Sequence, residues 1–166
     1  MIVAIYAGTF DPITNGHLDI AERAANMFDR VIVSVFDTPS KSLLFSTEER
    51  VDMCRRTVQD IPNVEVKQFN GLVVDFATKV GAAAMVRGLR SITDLDYEVA
   101  MVMMNRKLHP EVDTVFLYTS LEYQFVSSTL IKEVVQYGGD INSLVSEHVA
   151  VALTDKYGSK VKGETV

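Results

Sequence analysis

Short apolar runs rich in β-branched and aromatic residues recur along the chain, separated by longer stretches with apolar residues three and four positions apart. The runs are typical of buried strands, and the spaced stretches are typical of helices that pack by one face. This alternation predicts an α/β fold: a Rossmann-like, doubly wound, mostly parallel five-stranded sheet with helices on both faces. The predicted strands are 2–7, 31–36, 64–67, 82–86 and 114–118.

Local signals refine several of these elements. The third predicted strand, 64–67, alternates apolar and charged residues, which indicates one exposed face or an edge position. Ser46 and Glu49 have the spacing of a capping box, in which each side chain bonds the other's backbone N–H. Thr93-Asp94 is the expected cap of the fourth helix, and Ser127 is the expected start of the fifth.

Composition narrows the class of protein. The chain has 166 residues, of which 48% are hydrophobic and 23% charged, and its net charge is −6. We expect a single domain over 1–157, whose last helix covers 146–157, followed by a flexible polar tail, 158–166. The acidic balance argues against a nucleic-acid partner. No apolar run approaches the roughly 18 residues of a membrane span, and no secretory signal opens the chain, so a cytoplasmic location with no membrane contact is expected.

The residues 8–17, here named the opening turn, join the first predicted strand to the first helix. That helix is expected to present Leu18, Ala21, Ala25 and Phe28 on its apolar face. Open α/β sheets place ligands outside the carboxyl ends of their strands, and a helix amino end offers free N–H groups and partial positive charge. The opening turn therefore predicts an anion site.

Further polar groups follow other predicted strands and are expected at the same edge of the sheet. They are Lys41 in a turn-rich loop, Arg87 and Arg90 around a glycine, and the hydroxyls of 127–129 at a helix start. Together with His17 they would form one pocket suited to phosphate oxygens. Each has a plainer interpretation, since His17 can cap or pack, Lys41 can be a solvated surface lysine, and 127–129 can be only a cap.

Several common site motifs are absent from the sequence. There is no G-x-x-x-x-G-K-[ST] loop, no G-x-G-x-x-G and no nucleophile elbow. No Cys/His cluster has zinc-ligand spacing, and the single cysteine, Cys54, shares a helix face with Val51 and Val58, which favours a buried hydrophobic role. A P-loop enzyme, a dinucleotide cofactor and covalent catalysis therefore have little support.

The opening turn resembles the T/H-x-G-H signature of the nucleotidylyltransferases, and in its fuller form that of the phosphopantetheine adenylyltransferase family. Further matching segments follow in order over about 1–155, and that order makes the resemblance specific. At residues 7, 123 and 129 the family often has Pro, Trp and Ser, where this chain has Ala, Tyr and Thr. The matching segments are 8–12, 14–17, 39–41, 87–90, 96–98, 104–106 and 126–129.

The resemblance implies transfer of the adenylyl group of ATP to 4′-phosphopantetheine, which gives dephospho-coenzyme A and pyrophosphate without a covalent enzyme intermediate. The acceptor phosphate is already anionic, so positioning and charge stabilisation would carry the catalysis. By resemblance, His17 and Lys41 would contact the α-phosphate, and Thr9 would orient the attacking phosphate. Arg90, with Ser128 and Thr129, would hold the β- and γ-phosphates.

The resemblance also implies two lists of binding residues and several partners. Mg²⁺ would be the cofactor, carried mainly by the ATP phosphates without a dedicated metal site on the protein. A homohexamer and feedback inhibition by coenzyme A are implied in the same way. The ATP site would be lined by Thr9, Phe10, Gly16, His17, Gly88, Leu89, Arg90, Glu98, Tyr123, Gln124, Phe125, Val126, Ser127, Ser128 and Thr129. The phosphopantetheine site would be lined by Thr9, Lys41, Val73, Arg87 and Asn105.

Two alternatives stay open at this point. A related nucleotidylyltransferase could use another phosphorylated acceptor, such as nicotinamide mononucleotide or glycerol 3-phosphate. A non-catalytic nucleotide-binding module could keep the fold without turnover, although His17, Lys41 and Arg90 together exceed what simple binding needs.

Overall fold

The structure is a computed structural model that describes residues 1–37 and 42–161, without the side chains of Ile92, Tyr97 and 159–161. Lys41 and the preceding residues of its matching segment therefore lie outside the described residues. The strands are β1 Val3–Gly8, β2 Arg30–Phe36, β3 Val64–Phe69, β4 Ala84–Leu89 and β5 Asp113–Tyr118. The helices are α1 Asn15–Met27, α2 Thr47–Thr57, α3 Val73–Lys79, α4 Ile92–Leu108, α5 Ser128–Gln136 and α6 Glu147–Val161.

The five strands form one sheet in the order β3-β2-β1-β4-β5. All four neighbouring pairs are parallel. The predicted fold class and the edge position of β3 are confirmed. The strand order changes direction between β1 and β4, and this switch point is where open α/β sheets form a crevice.

Alternate residues of β1 point to opposite faces of the sheet, and each face carries its own core. Ala4 and Tyr6 pack with buried residues of α1, α2, α5 and α6. Ile5 and Ala7 pack on the other face with buried residues of α3. The burial of β1 on both faces explains its nearly continuous apolar sequence and fixes the position of the opening turn that follows it.

The capping box of Ser46 and Glu49 is confirmed, and so is Ser127 as the N-cap of α5. The predicted cap of α4 at Thr93-Asp94 is wrong, because the Ser91 side chain accepts the Asp94 backbone N–H and starts the helix earlier. The apolar face of α1 is also shifted: its buried residues are Ile20, Ala21 and Ala24.

Two other boundaries differ from the prediction. β4 continues through 87–89, because these residues pair with Phe116, Leu117 and Tyr118 of β5. α6 continues beyond its predicted end at Tyr157 through Gly158 to Val161, so the predicted tail does not start at 158. Among the helices of the described residues, none has the length and apolar character needed to cross a bilayer.

Candidate active site

A cleft of about 630 Å³ opens at the carboxyl ends of β1 and β4, in the crevice at the switch point. The amino ends of α1, α4 and α5 border it, so three helix starts direct partial positive charge toward one space. Its lining includes ten residues of the predicted ATP site: Gly16, His17, Gly88, Arg90, Glu98, Tyr123, Val126, Ser127, Ser128 and Thr129.

Phe10 gives the opening turn its shape. Its φ of 48° lies in the left-handed region, which is uncommon for a residue with a side chain. Its ring is buried and lies edge-on to Tyr6 and His17, at centroid distances of 5.5 and 5.1 Å. A Cβ on Gly8 would lie 3.0 Å from this ring, so only glycine leaves the ring room to fold back. The Phe10 side chain therefore supports His17 from the core.

His17 forms a capping box with Thr14, the N-cap residue of α1. The Thr14 backbone N–H donates to His17 Nδ1 at 3.0 Å. An atom that accepts this bond carries no proton, so in the neutral ring the proton is on Nε2. His17 can therefore cap the helix and also bind a ligand, because the capping bond fixes the tautomer in which Nε2–H is a free donor.

The His17 imidazole is uncharged at neutral pH. Burial, and then the nearby positive charge of Arg90, lower its pKa to about 4. A neutral imidazole donates one directed hydrogen bond and does not need an accompanying counter-ion. In the ligand-free chain His17 therefore offers its Nε2–H to the cleft as a neutral donor.

Arg90 is held at the start of α4 by Asp94. The Asp94 carboxylate accepts from the Arg90 backbone N–H at 3.0 Å and from its guanidinium at 3.3 Å. Partial burial raises the pKa of Asp94, but the Arg90 hydrogen bonds outweigh this and the pKa is lowered. Arg90 Nη1 also donates to the Val126 carbonyl at 3.4 Å. This arginine therefore links α4 to the segment that leads into α5.

The start of α5 is attached to the opening turn. Ser127 Oγ accepts the Leu130 N–H at 3.1 Å, and Ser128 Oγ donates to the Pro12 carbonyl at 2.7 Å. The Ser128 hydroxyl hydrogen is therefore committed to the backbone. The groups of this helix start that can donate to a phosphate include the backbone N–H groups of its first turn, the exposed Thr129 hydroxyl and the Ser127 hydroxyl, whose oxygen accepts the Leu130 N–H but whose hydrogen is not used by that bond.

A second cleft of about 400 Å³ lies on the other side of β4 and contains three of the predicted phosphopantetheine residues, Val73, Arg87 and Asn105. Most of its other lining is apolar. Arg87 and Glu98 line both clefts. Their side chains pair at 2.8 Å (Nε to Oε2) and 2.5 Å (Nη2 to Oε1), and Arg87 Nη1 donates to the Ala7 carbonyl at 2.9 Å. This two-bond ion pair forms the partition between the clefts.

Some predicted residues do not line either cleft. Thr9 is half-buried beside the opening, Leu89 is buried, and Phe125 is exposed. Gln124 and Phe10 are also absent from the lining, so Phe10 can reach a ligand only through its backbone. Lys41 lies outside the described residues, and its predicted roles stay predictions.

Two glycines allow close packing around the first cleft. A Cβ on Gly16 would lie 3.3 Å from Tyr123 Cβ, and a Cβ on Gly88 would lie 3.1 Å from Ile20 Cγ1. Gly16 belongs to the predicted ATP site, and its lack of a side chain also lets the segment 121–123 approach α1.

Several structural partners were missed by the sequence reasoning. Asp19 Oδ2 accepts the Ser120 N–H at 3.0 Å and Asp19 Oδ1 accepts the Ser120 hydroxyl at 2.6 Å, which anchors the segment after β5. The buried Asp11 pairs with Lys132 of α5 at 2.7 Å and accepts the backbone N–H groups of 44 and 45. Asp11 lies within the opening turn, but no sequence signal identifies these long-range partners. Across the part of the chain that the structure describes, no three His, Cys, Asp or Glu side chains form a metal-binding group.

Comparison with known proteins agrees with this geometry. Residues 5–134 match the cytidylyltransferase-like family model. The phosphopantetheine adenylyltransferase of Heliobacterium modesticaldum is 49% identical over 99% of this chain and 98% of its own length. The enzyme of the same name from Dictyoglomus thermophilum is 47% identical over 98% of this chain and 99% of its own. The chain belongs to the phosphopantetheine adenylyltransferase family. The family resemblance of the opening turn and the later segments is thereby confirmed.

Two solved structures that resemble this fold carry the names of adenylyltransferases and have more distant sequences. A Vibrio parahaemolyticus protein assigned as a nicotinate-nucleotide adenylyltransferase superposes with a TM-score of 0.72 at 19% identity, over 95% of this chain and 96% of its own. A bifunctional NMN adenylyltransferase/ADP-ribose pyrophosphatase of Francisella tularensis superposes with a TM-score of 0.68 at 17% identity, over 95% of this chain and 51% of its own. At this identity the likeness shows the shared fold.

Proposed function

We propose that this phosphopantetheine adenylyltransferase family member transfers the adenylyl group of ATP to 4′-phosphopantetheine, giving dephospho-coenzyme A and pyrophosphate. One observation carries the proposal. Two clefts of different character meet at the partition of Arg87 and Glu98, one bordered by three helix starts and the other lined mostly by apolar side chains. The first suits a polyphosphate, and the second suits a long, largely apolar acceptor arm.

The reaction proceeds by direct in-line attack of the acceptor phosphate on the α-phosphorus of ATP. His17 donates from Nε2 to the α-phosphate as charge develops on the transferring group. The neutral imidazole acts as a hydrogen-bond donor, and the reaction needs no general base because the acceptor phosphate is already anionic. Thr9 orients the attacking phosphate, Lys41 bridges the two reacting phosphates, and Arg87 holds the acceptor side of the partition.

The β- and γ-phosphates lie between Arg90 and the start of α5, where they accept from the guanidinium and from the first-turn N–H groups. The apolar lining of the second cleft, including Val73 and Met101, packs against the aliphatic parts of the acceptor, while Asn105 bonds its amides. Mg²⁺ would be held mainly by the oxygens of the ATP phosphates and would neutralise part of their charge.

The test is pyrophosphate release with ATP and Mg²⁺ against a panel of phosphorylated acceptors. We expect turnover with 4′-phosphopantetheine and at least about a hundredfold lower kcat/KM with nicotinamide mononucleotide or glycerol 3-phosphate, whose acceptor portions would leave the apolar cleft unfilled. Preference for either of these acceptors would favour the related transferase. Nucleotide binding without turnover with any acceptor would favour the non-catalytic module.

Three further properties belong to this proposal by family membership. The enzyme acts in the cytoplasm, assembles as a homohexamer, and is inhibited by coenzyme A, which shares the acceptor's pantetheine arm. The assembly has support in the structure: α4 exposes several large apolar residues, and such a surface is typical of an interface. These residues are Val99, Met101, Met103, Met104 and Leu108.

A further inference from the structure

Arg50 of α2 is a charged residue in the interior of the fold, with only 1% of its surface exposed. Its Nη1 atom donates to the carbonyls of Thr9 and Phe36 at 2.6 and 2.9 Å, and its Nη2 atom donates to Thr47 Oγ1 at 2.8 Å. All of these partners are neutral oxygens. Arg50 therefore joins the ends of β1 and β2 from behind the site, without touching either cleft.

This arrangement is unfavourable for stability alone. Among the described residues no carboxylate bonds the Arg50 guanidinium directly; Thr47 Oγ1 accepts from it and donates in turn to Asp37 Oδ1 at 2.7 Å, and Arg50 Nε is buried without a hydrogen-bond partner. The cation therefore retains much of its desolvation cost. An apolar side chain of similar volume would pack near Cys54 at lower cost. A role other than core packing therefore explains the arginine better.

The contact with Thr9 falls at a strained point of the backbone. The Thr9 carbonyl belongs to the peptide group that immediately precedes Phe10, whose φ is 48°. Left-handed backbone persists at a residue with a side chain only where the surroundings hold it. Arg50 fixes the peptide plane on one side of this strained residue, and the Phe10 ring fixes the other side by packing against Tyr6 and His17.

We propose that Arg50 is a positioning residue for adenylyl transfer, which holds the Thr9–Phe10 peptide so that the Thr9 hydroxyl faces the attacking phosphate. Its planar guanidinium bonds two carbonyls and a hydroxyl at the same time, which a lysine ammonium at this depth cannot do with the same geometry. Arg50 acts through Thr9 and does not contact substrate. The inference rests on the proposed function.

The experiment compares Arg50→Lys with the wild-type chain in pyrophosphate release with ATP, Mg²⁺ and 4′-phosphopantetheine. We expect kcat to fall about thirtyfold, because misplacement of the attacking group is costly, while the KM for ATP changes less than about twofold. Met53→Ala is the matched control, since Met53 is buried on the same helix and its thioether cannot donate a hydrogen bond to the Thr9 carbonyl. A similar loss of kcat in Met53→Ala would overturn the inference in favour of general destabilisation.

A double-mutant cycle tests whether Arg50 affects kcat through Thr9. If Arg50 acts through Thr9, Arg50→Lys lowers kcat by less than about threefold when Thr9 is already alanine. Full additivity would overturn the inference. Thr47→Val removes one hydrogen-bond partner of the Arg50 guanidinium and is the milder variant to use if Arg50→Lys does not fold. We expect it to lower kcat about threefold, and an unchanged kcat would contradict the proposal.

Amide hydrogen exchange over residues 8–11 separates this inference from the proposed function. Faster exchange in Arg50→Lys but not in Met53→Ala supports the positioning role, even if the wild-type chain uses a different acceptor. Absence of wild-type turnover with 4′-phosphopantetheine contradicts only the proposed function. Unchanged exchange together with unchanged kcat overturns the Arg50 inference alone.

Discussion

At the scale of single residues, His17 combines a structural and a chemical role. Its Nδ1 atom accepts the Thr14 N–H in the capping box, its ring packs on Phe10, and its Nε2–H is available to a ligand. A substitution can therefore impair folding and chemistry together. Glutamine separates the two effects, because it can also serve as the third helical residue of a capping box.

We expect His17→Gln to lower kcat at least about a hundredfold, the usual loss when a donor to transition-state charge is removed, while its free energy of unfolding changes little. His17→Ala should show the same loss of kcat and an additional loss of about 1 kcal/mol of stability from the broken cap. Steady-state kinetics and urea unfolding measure the two quantities. Near-normal turnover in His17→Gln would exclude His17 from the chemistry.

The lowered pKa of His17 predicts the acid sensitivity of the free protein. The unfolded chain binds a proton on this residue below pH 6.5, whereas the folded chain does so only below about pH 4. The folded state therefore loses stability as the pH falls from 6.5 to 4, by up to about 1.4 kcal/mol per pH unit. Urea unfolding between pH 7 and 4.5 should show a shallower decline for His17→Gln, and equal slopes would contradict the lowered pKa.

At the scale of elements, the segment between β5 and α5 is held by a side chain of α1. Asp19 accepts two hydrogen bonds from Ser120, and the same segment supplies Thr119 and Tyr123 to the first cleft. Asp19→Ala should therefore raise the KM for ATP about tenfold and change the KM for 4′-phosphopantetheine less than about twofold. Asp29→Ala, just beyond the other end of α1, is the control. An equal rise in both KM values would contradict a specific effect on the nucleotide cleft.

His109 connects α3 to the segment between α4 and β5. Its ring bonds Asp75 and Glu111, each at 2.9 Å, and Thr78 Oγ1 lies 3.0 Å from Nδ1. The carboxylates of Glu111 and then Asp75, which accept hydrogen bonds from the protonated ring, raise the pKa of His109. A raised pKa gives stability that is complete below pH 6.5 and is lost as the pH rises through the folded value.

Thermal unfolding should therefore show a larger fall in Tm between pH 6 and 9 for the wild-type chain than for His109→Gln. Asp75→Asn should give an intermediate result, because the Glu111 bond remains. If the two profiles of wild type and His109→Gln are parallel, the contact does not titrate in this range. Because His17 and His109 act on opposite sides of pH 6.5, the two effects can be measured separately.

Elements with a strong local signal could be predicted from the sequence. The alternation of apolar runs and the caps at Ser46 and Ser127 depend on neighbouring residues alone. The end of β4 depends on pairing with β5, and Arg87-Gly88 carries no apolar pattern that would reveal it. The hydrogen bonds of Asp11 and Asp19 were not predicted either, because their partners are distant in the sequence. The sequence does indicate that Arg50 lies on the apolar side of α2, because it is four residues before Cys54. Its hydrogen-bond partners can be identified only in the folded structure.

At the scale of the whole molecule, α4 leaves large apolar side chains exposed to solvent in the single chain. Met103 and Met104 are 69% and 57% exposed, and α4 also supplies Met101 and Asn105 to the second cleft. Apolar residues thus lie both toward the cleft and toward solvent on one helix. Assembly of identical chains through α4 would cover the outer residues and stabilise the wall of the acceptor cleft at the same time.

Met103→Glu tests this coupling, because a buried carboxylate at an apolar interface is strongly unfavourable. Light scattering should give six times the chain mass of 18.4 kDa for the wild type and a smaller species for the variant. The KM for 4′-phosphopantetheine should rise several-fold with the KM for ATP unchanged. Met27→Glu is the matched control, since Met27 is 56% exposed at the end of α1. If Met103→Glu keeps the wild-type mass, α4 is not the interface, and its exposed methionines need another explanation.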